Sequence, residues 1–218
     1  MIDFEELVFK RIMDLAHIHE AGHVIAARHC EMEVVSSDIN IHGNQCGLTK
    51  VVPMSADYSI STGLPKDKKE ALTGFSRHNF ELLAGPAAVA IYCYENDVKT
   101  LNGFTSIQPD IWGILLEFSR ADSFCDFTEE NMTHGVGFFI TELGASGDWK
   151  TILDHFKILP YHYFDEVNTH EKRIIYLRTL WGGVLDLLRR QWDNVITVAE
   201  GLKLHKKLSG AEIERLLA

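Results

Sequence analysis

Two histidines four positions apart, with a glutamate directly after the first, are the residues of this sequence best suited to chemistry: His19-Glu20-Ala21-Gly22-His23. On a helix, side chains at i and i+4 leave the same face one turn apart, so both imidazoles can grip one zinc ion. Glu20 is rotated off that direction and can reach a metal-activated water instead of the metal. Zinc makes such a water acidic, and a carboxylate takes its proton as the oxygen attacks a carbonyl. The same carboxylate then returns the proton to the leaving amine. The pattern predicts a zinc-dependent metallopeptidase that hydrolyses peptide bonds with Glu20 as general base.

The helix that must hold these groups runs over 3–31. Asp3 and Glu6 make a capping-box pair, and Phe4, Leu7, Val8, Ile12, Leu15, Ala16 and His19 recur at helical spacing. Between Leu15 and Ala27 the only Asp, Glu, Lys or Arg is Glu20, so this helix is apolar almost all round and buried on most sides. A lone buried carboxylate is costly unless something compensates it, and a divalent cation one ligand away does so. The small pair Ala21-Gly22 lets another segment approach closely. The bland alternative, satisfied core histidines beside a surface glutamate, suits an exposed or irregular segment better than this one.

A catalytic zinc has three protein ligands and one open position. No histidine follows His23 at a short ligand spacing; His29 and His42 come next. The third ligand must come from a distant segment, and the candidates are the acidic residues that open helices after loops, Asp110, Asp122 and Asp148, with Glu81 inside a helix as a further one.

The remaining pattern predicts a mainly α fold (α+β) with a small sheet or hairpin beside the active-site helix. Segments 34–41 and 46–53 read as strands separated by His42-Gly43-Asn44. Residues 54–66 read as a loop, and Lys68 to Tyr94 as a long helix with a kink or helix–helix break at Gly85-Pro86. Asn102 to Pro109 is a loop, followed by helices over 110–120 and 128–143. Gly144-Ala145-Ser146-Gly147 breaks the chain before a helix over 148–156. Helices over 168–192 and 193–206 precede a short piece capped by Ser209 and Glu212. Trp181, Leu185, Leu188 and Trp192 at helical spacing read as packing, Phe138-Phe139-Ile140 as core, and Trp149 as packing under the site. Strand 46–53 could offer an edge to an extended peptide.

The chain has 218 residues, 46% of them apolar, and reads as a single domain over 1–218. Its net charge of −10, with no basic cluster, argues against nucleic acid as a partner. Four scattered cysteines, none in a Cys-x-x-Cys pair, suggest buried thiols in a reducing compartment, hence a cytoplasmic location. The acidic N-terminus is no signal peptide, and the apolar run from Leu82 to Cys93 is too short for a membrane anchor.

His19-Glu20-Ala21-Gly22-His23-Val24-Ile25 resembles the active-site helix of the peptidase domain of FtsH-type AAA proteases. Leu82-Leu83-Ala84-Gly85-Pro86-Ala87-Ala88 is similar to that family's L-L-G-G-R-A-A-E segment, and Gly144-Ala145-Ser146-Gly147-Asp148-Trp149 to its T-G-A-S-N-D segment. The stretch Val195 to Leu217 resembles the family's last helices. Carried over, the resemblance implies a helical peptidase domain with His19, His23 and Asp148 as ligands of Zn2+ and Glu20 as base. Pro86 stands where the family has arginine and Val89 where it has glutamate. An insertion around 94–139 keeps Asp110 and Asp122 open as alternatives to Asp148. With no Walker A motif and no ATPase module, the chain resembles stand-alone relatives. The expected substrate is a peptide or unfolded protein, cut without ATP, with a homo-oligomer or a separate unfolding partner left open. The competing expectation is a catalytically inactive zinc-binding or adaptor protein with the same fold. A purely structural site, however, needs four ligands and no carboxylate between them.

Overall fold

The computed structural model describes residues 4–40, 47–52, 68–98, 146–158 and 169–218. The expected loops over 54–66 and 102–109, the helices over 110–120 and 128–143, the core triplet Phe138-Phe139-Ile140, Cys46, Cys125, Asp110 and Asp122 lie outside them.

Helix α1 spans Phe4–His29, with Ala16, Ile18, Ala21, Val24, Ala26 and Ala27 buried along it. It ends where Glu31 takes a left-handed φ of 59°, turning the chain into strand β1 (Glu33–Asp38). Strand β2 (Leu48–Val52) pairs antiparallel with β1, aligning Ser37 with Thr49. A bulge between Val34 and Ser36 interrupts the ladder.

Helix α2 spans Lys68–Glu95 and contains Pro86 without interruption, so the expected break at Gly85-Pro86 does not occur. Proline removes one intrahelical hydrogen bond, but Ala84, Ala87, Ala88 and Ala90 around it are wholly buried, and that packing keeps the helix running. Helix α3 (Ser146–Ile158) starts two residues before the expected position, with Gly147 in its first turn. Helices α4 (His170–Arg190) and α5 (Trp192–His205) follow the expected bounds closely. Trp181, Leu185 and Leu188 are buried, and Trp192 packs against the same core.

Strand β3 (Lys207–Ser209) was not expected. It pairs antiparallel with the other edge of β1, giving the order β2-β1-β3. Three residues are too few for an alternation pattern, so only pairing with β1 makes them a strand. Helix α6 (Gly210–Leu216) begins at the capping box of Ser209 and Glu212.

The fold is thus mainly helical with a small three-stranded antiparallel sheet packed beside α1. Among the described residues no helix is long and apolar enough to cross a membrane. Cys30 and Cys93 are buried.

Candidate metal centre

Gly22 lies where α1 meets α2. A Cβ there would strike the backbone carbonyl of Ala84 and come within 2.8 Å of the Ala88 methyl. That close approach sets α2 against the histidine face of α1. Gly85, one residue on, faces the imidazoles. A Cβ on it would overlap the Nε2 atoms of both His19 and His23. Glycine therefore keeps open the space in front of the two nitrogens.

His19 Nε2 and His23 Nε2 are 3.0 Å apart, their rings edge to face. Asp148, in the first turn of α3, brings Oδ2 to 3.0 Å from His19 Nε2 and 3.5 Å from His23 Nε2. Tetrahedral ligands about 2.05 Å from a zinc ion lie about 3.3 Å from one another. The three edges of this triangle bracket that value, so the donor set and its spacing fit one metal ion. The group of His19, His23 and Asp148 can hold such an ion.

The other nitrogen of His23 is engaged behind the site. Its Nδ1 donates to the Glu81 backbone carbonyl at 2.9 Å and lies 3.1 Å from Glu81 Oε1. A proton held on Nδ1 leaves the Nε2 lone pair directed at the triangle, as a carboxylate behind a metal-binding histidine does. Glu81, a candidate third ligand on sequence, thus sits on the far side of a ligand instead.

Glu20 is buried on the sheet side of α1. Thr49 of β2 donates its hydroxyl to Glu20 Oε2 at 2.7 Å. Gly47, at the head of β2, lies against the same carboxylate: a Cβ there would overlap Oε1 and come within 2.8 Å of Cγ and Cδ.

Burial raises the pKa of Glu20, with His23, His19 and the Thr49 hydrogen bond pulling it back in part. Burial alone would lower His23, but Asp148 and Glu81 outweigh it and hold the imidazole well above its usual value. Burial would likewise raise Asp148, yet the two histidines hold its carboxyl well below the usual carboxylate range. Without an ion, these groups share protons; a bound cation would take the protons' place, so metal uptake and proton release are coupled.

No protein-family model matches this chain, and no curated protein matches it.

The chemistry of the centre therefore has to be read from its own residues. Sequence placed His19, Glu20 and His23 on one buried helix, and the structure brings Asp148 to the two histidines across 129 positions. Trp149, its neighbour and expected to pack under the site, is buried in the core. Thr49, Gly47 and the orienting role of Glu81 were not foreseen. A threonine in a strand is ordinary, and only the packing of β2 on α1 distinguishes this one. The glycine before the strand was the one local signal.

Proposed function

We propose that this chain is a zinc-dependent metallopeptidase similar to the FtsH-type peptidase domains, acting on peptides or unfolded protein segments. The observation that carries the reading is the division of labour on one helical turn. His19 and His23 converge with Asp148, while Glu20 between them points to the sheet and stays out of the triangle. A three-donor group with a separate buried carboxylate suits hydrolysis, whereas a structural zinc has four protein ligands.

A bound zinc ion supplies a Lewis acid that polarises the scissile carbonyl and acidifies water. Glu20 accepts the proton of the attacking water and passes it to the leaving amine, so the carboxylate ends unchanged. His23, fixed by Glu81, would hold the ion together with His19 and Asp148. Strand β2 is an edge of the sheet among the described residues and carries Thr49 beside the base. An extended peptide would add to the sheet at that edge by pairing with β2. That selects unfolded segments over folded domains.

The decisive experiment compares wild type with Glu20→Gln for zinc content and for cleavage of a broad peptide library. Wild type should carry about one zinc per chain, consistent with a three-ligand site. Glu20→Gln should keep that zinc while hydrolysis falls by about a hundredfold to ten-thousandfold, the usual contribution of a general base. Equal cleavage by both proteins would refute the assignment.

A further inference from the structure

The hydroxyl of Thr49 stands between two partners. It is 2.7 Å from Glu20 Oε2 and 2.8 Å from the hydroxyl of Ser37, its register partner on β1. The Glu20 backbone carbonyl is 3.4 Å away, at the limit of a hydrogen bond. A hydroxyl has one proton to give. The short contact to a carboxylate oxygen claims it, because hydrogen bonds to charged acceptors are the stronger ones. Ser37 must then donate to Thr49, giving a one-way chain from Ser37 to Thr49 to Glu20.

Each link is fixed by a different part of the fold. Ser37 is fully buried on the central strand, which is paired on both sides, with Thr49 across one ladder and Leu208 across the other. Gly47, just before β2, and Thr49, two residues on, both lie against Glu20. Gly47 brings its backbone against Glu20 at the place where a side chain would collide with Oε1.

We propose that Ser37, Thr49 and Gly47 form a positioning clamp for Glu20, in which the hydroxyl pair fixes Oε2 and Gly47 leaves room for Oε1 to accept the proton. This rests on the hydrolase reading for its consequence in turnover, though not for its geometry. A clamp of this kind restricts the carboxylate to one rotamer, so the base is aimed before substrate arrives. The contacts that define the clamp run to Glu20 and not to the ligand triangle, so their loss should leave metal binding alone.

The test uses the full-length protein and measures metal content, kcat, KM and thermal stability on each variant. Thr49→Val removes the hydroxyl and keeps the shape. It should retain zinc and change KM by less than about threefold while kcat falls by about 10- to 100-fold, the range expected for losing a hydrogen bond to a charged group. Thr49→Ser should recover most of that loss, since it restores the hydroxyl alone. Gly47→Ala should lower kcat by a similar factor with zinc retained.

Stability of the metal-free protein supplies a second, activity-independent reading. Thr49→Val should lower Tm in the wild-type background, where it strands a buried carboxylate, and clearly less in a Glu20→Ala background. Wild-type kcat in Thr49→Val, or a Thr49→Ser as slow as Thr49→Val, would overturn the clamp. Equal Tm losses in both backgrounds would overturn it as well. If metal-loaded wild type cuts no peptide, the hydrolase reading fails, and the Tm cycle still decides whether the clamp exists.

Discussion

Toward α1, helix α2 presents Ala84, Gly85 and Ala88; toward α3 and α4 it presents Phe75, Ser76 and Asn79. Around 84–88 the first face is nearly bare, though a turn earlier Glu81 reaches His23 and Phe80 packs on His29. Ala84 and Ala88 press on Gly22, and Gly85 lies under the two imidazoles. The second face is aromatic and polar. The Phe75 ring packs against Phe156 edge to face and against Tyr176 in a stack, and His155 donates from Nδ1 to Asn79 Oδ1 at 2.8 Å. Asn79 and Ser76 both reach the Tyr176 hydroxyl. Where only small residues meet, the backbones themselves set the distance, with no long side chain between them that could adjust. A face of large rings and amides distributes its contacts, so losing one leaves others in place. His19 and His23 of the candidate centre lie against the rigid face, where a shift of one atom would be felt by both imidazoles.

The largest effects should therefore come from adding single methyl groups to the bare face. At Gly22 the new Cβ meets backbone, which cannot swing away, so Gly22→Ala should destabilise the protein by about 2–4 kcal/mol, an overpacking cost in chemical denaturation. At Gly85 the new Cβ meets the tips of two histidines, which can rotate. Gly85→Ala should thus fold but bind metal weakly, at least tenfold worse by competition with a chelator. If Gly85→Ala instead loses as much stability as Gly22→Ala while its folded form keeps normal metal affinity, the two glycines have been assigned the wrong roles.

A middling effect is expected from His155 on the aromatic face. Burial first, and His78 second, push its pKa from 6.5 down to about 4, against an opposing pull from Asp154. The folded state thus holds this imidazole neutral while the unfolded chain protonates it below about pH 6.5. Its contribution is complete above that pH and is lost as pH falls toward 4. A depression of this size corresponds to about 3 kcal/mol at the acid end. The sharpest measurement is the difference in stability between metal-free wild type and metal-free His155→Gln from pH 7 to pH 4. Wild type should lose more of its stability over that range; parallel curves would contradict a buried neutral imidazole.

The smallest effect should follow Tyr176→Phe. The tyrosine hydroxyl donates to Ser76 at 3.2 Å and accepts from Asn79 at 3.4 Å, both long bonds. Burial also pushes its pKa up to about 12, so no charge is lost with the hydroxyl. A decrease of about 1 kcal/mol or less in unfolding free energy is expected, with metal content unchanged. A loss as large as that of Gly22→Ala would show that the two faces of α2 do not differ as described.

The bare face was more legible in sequence than the aromatic one. Ala21-Gly22 between the histidines announced a close approach, and an apolar run with one carboxylate announced burial. Helical spacing likewise located α4 and α5, and Ser209 with Glu212 located the start of α6. What local pattern could not give was anything decided by pairing across the chain. Lys207-Leu208-Ser209 became a strand only against β1, and Pro86 stayed in a helix because its alanine neighbours are buried. The resemblance to a known family pointed to Asp148, whereas spacing alone left four acidic residues open. No periodicity could reveal that Glu81 backs His23, or that Thr49 reaches Glu20, because each contact joins elements far apart in the chain.

The order in which the sheet is laid down sets when the centre can exist. Strand β1, which holds Ser37, is closed on one edge by β2 and on the other by β3 at 207–209, near the end of the sequence. Asp148 arrives more than a hundred residues after the histidines. During synthesis, a ribosome must therefore release the chain past Asp148 before the third donor can join the histidines, and past Ser209 before β1 is paired on both edges. Contacts of such long sequence separation are made late, since loop closure has to precede them. A nascent chain would thus carry His19, Glu20 and His23 well before Asp148 and β3 can complete the group around them.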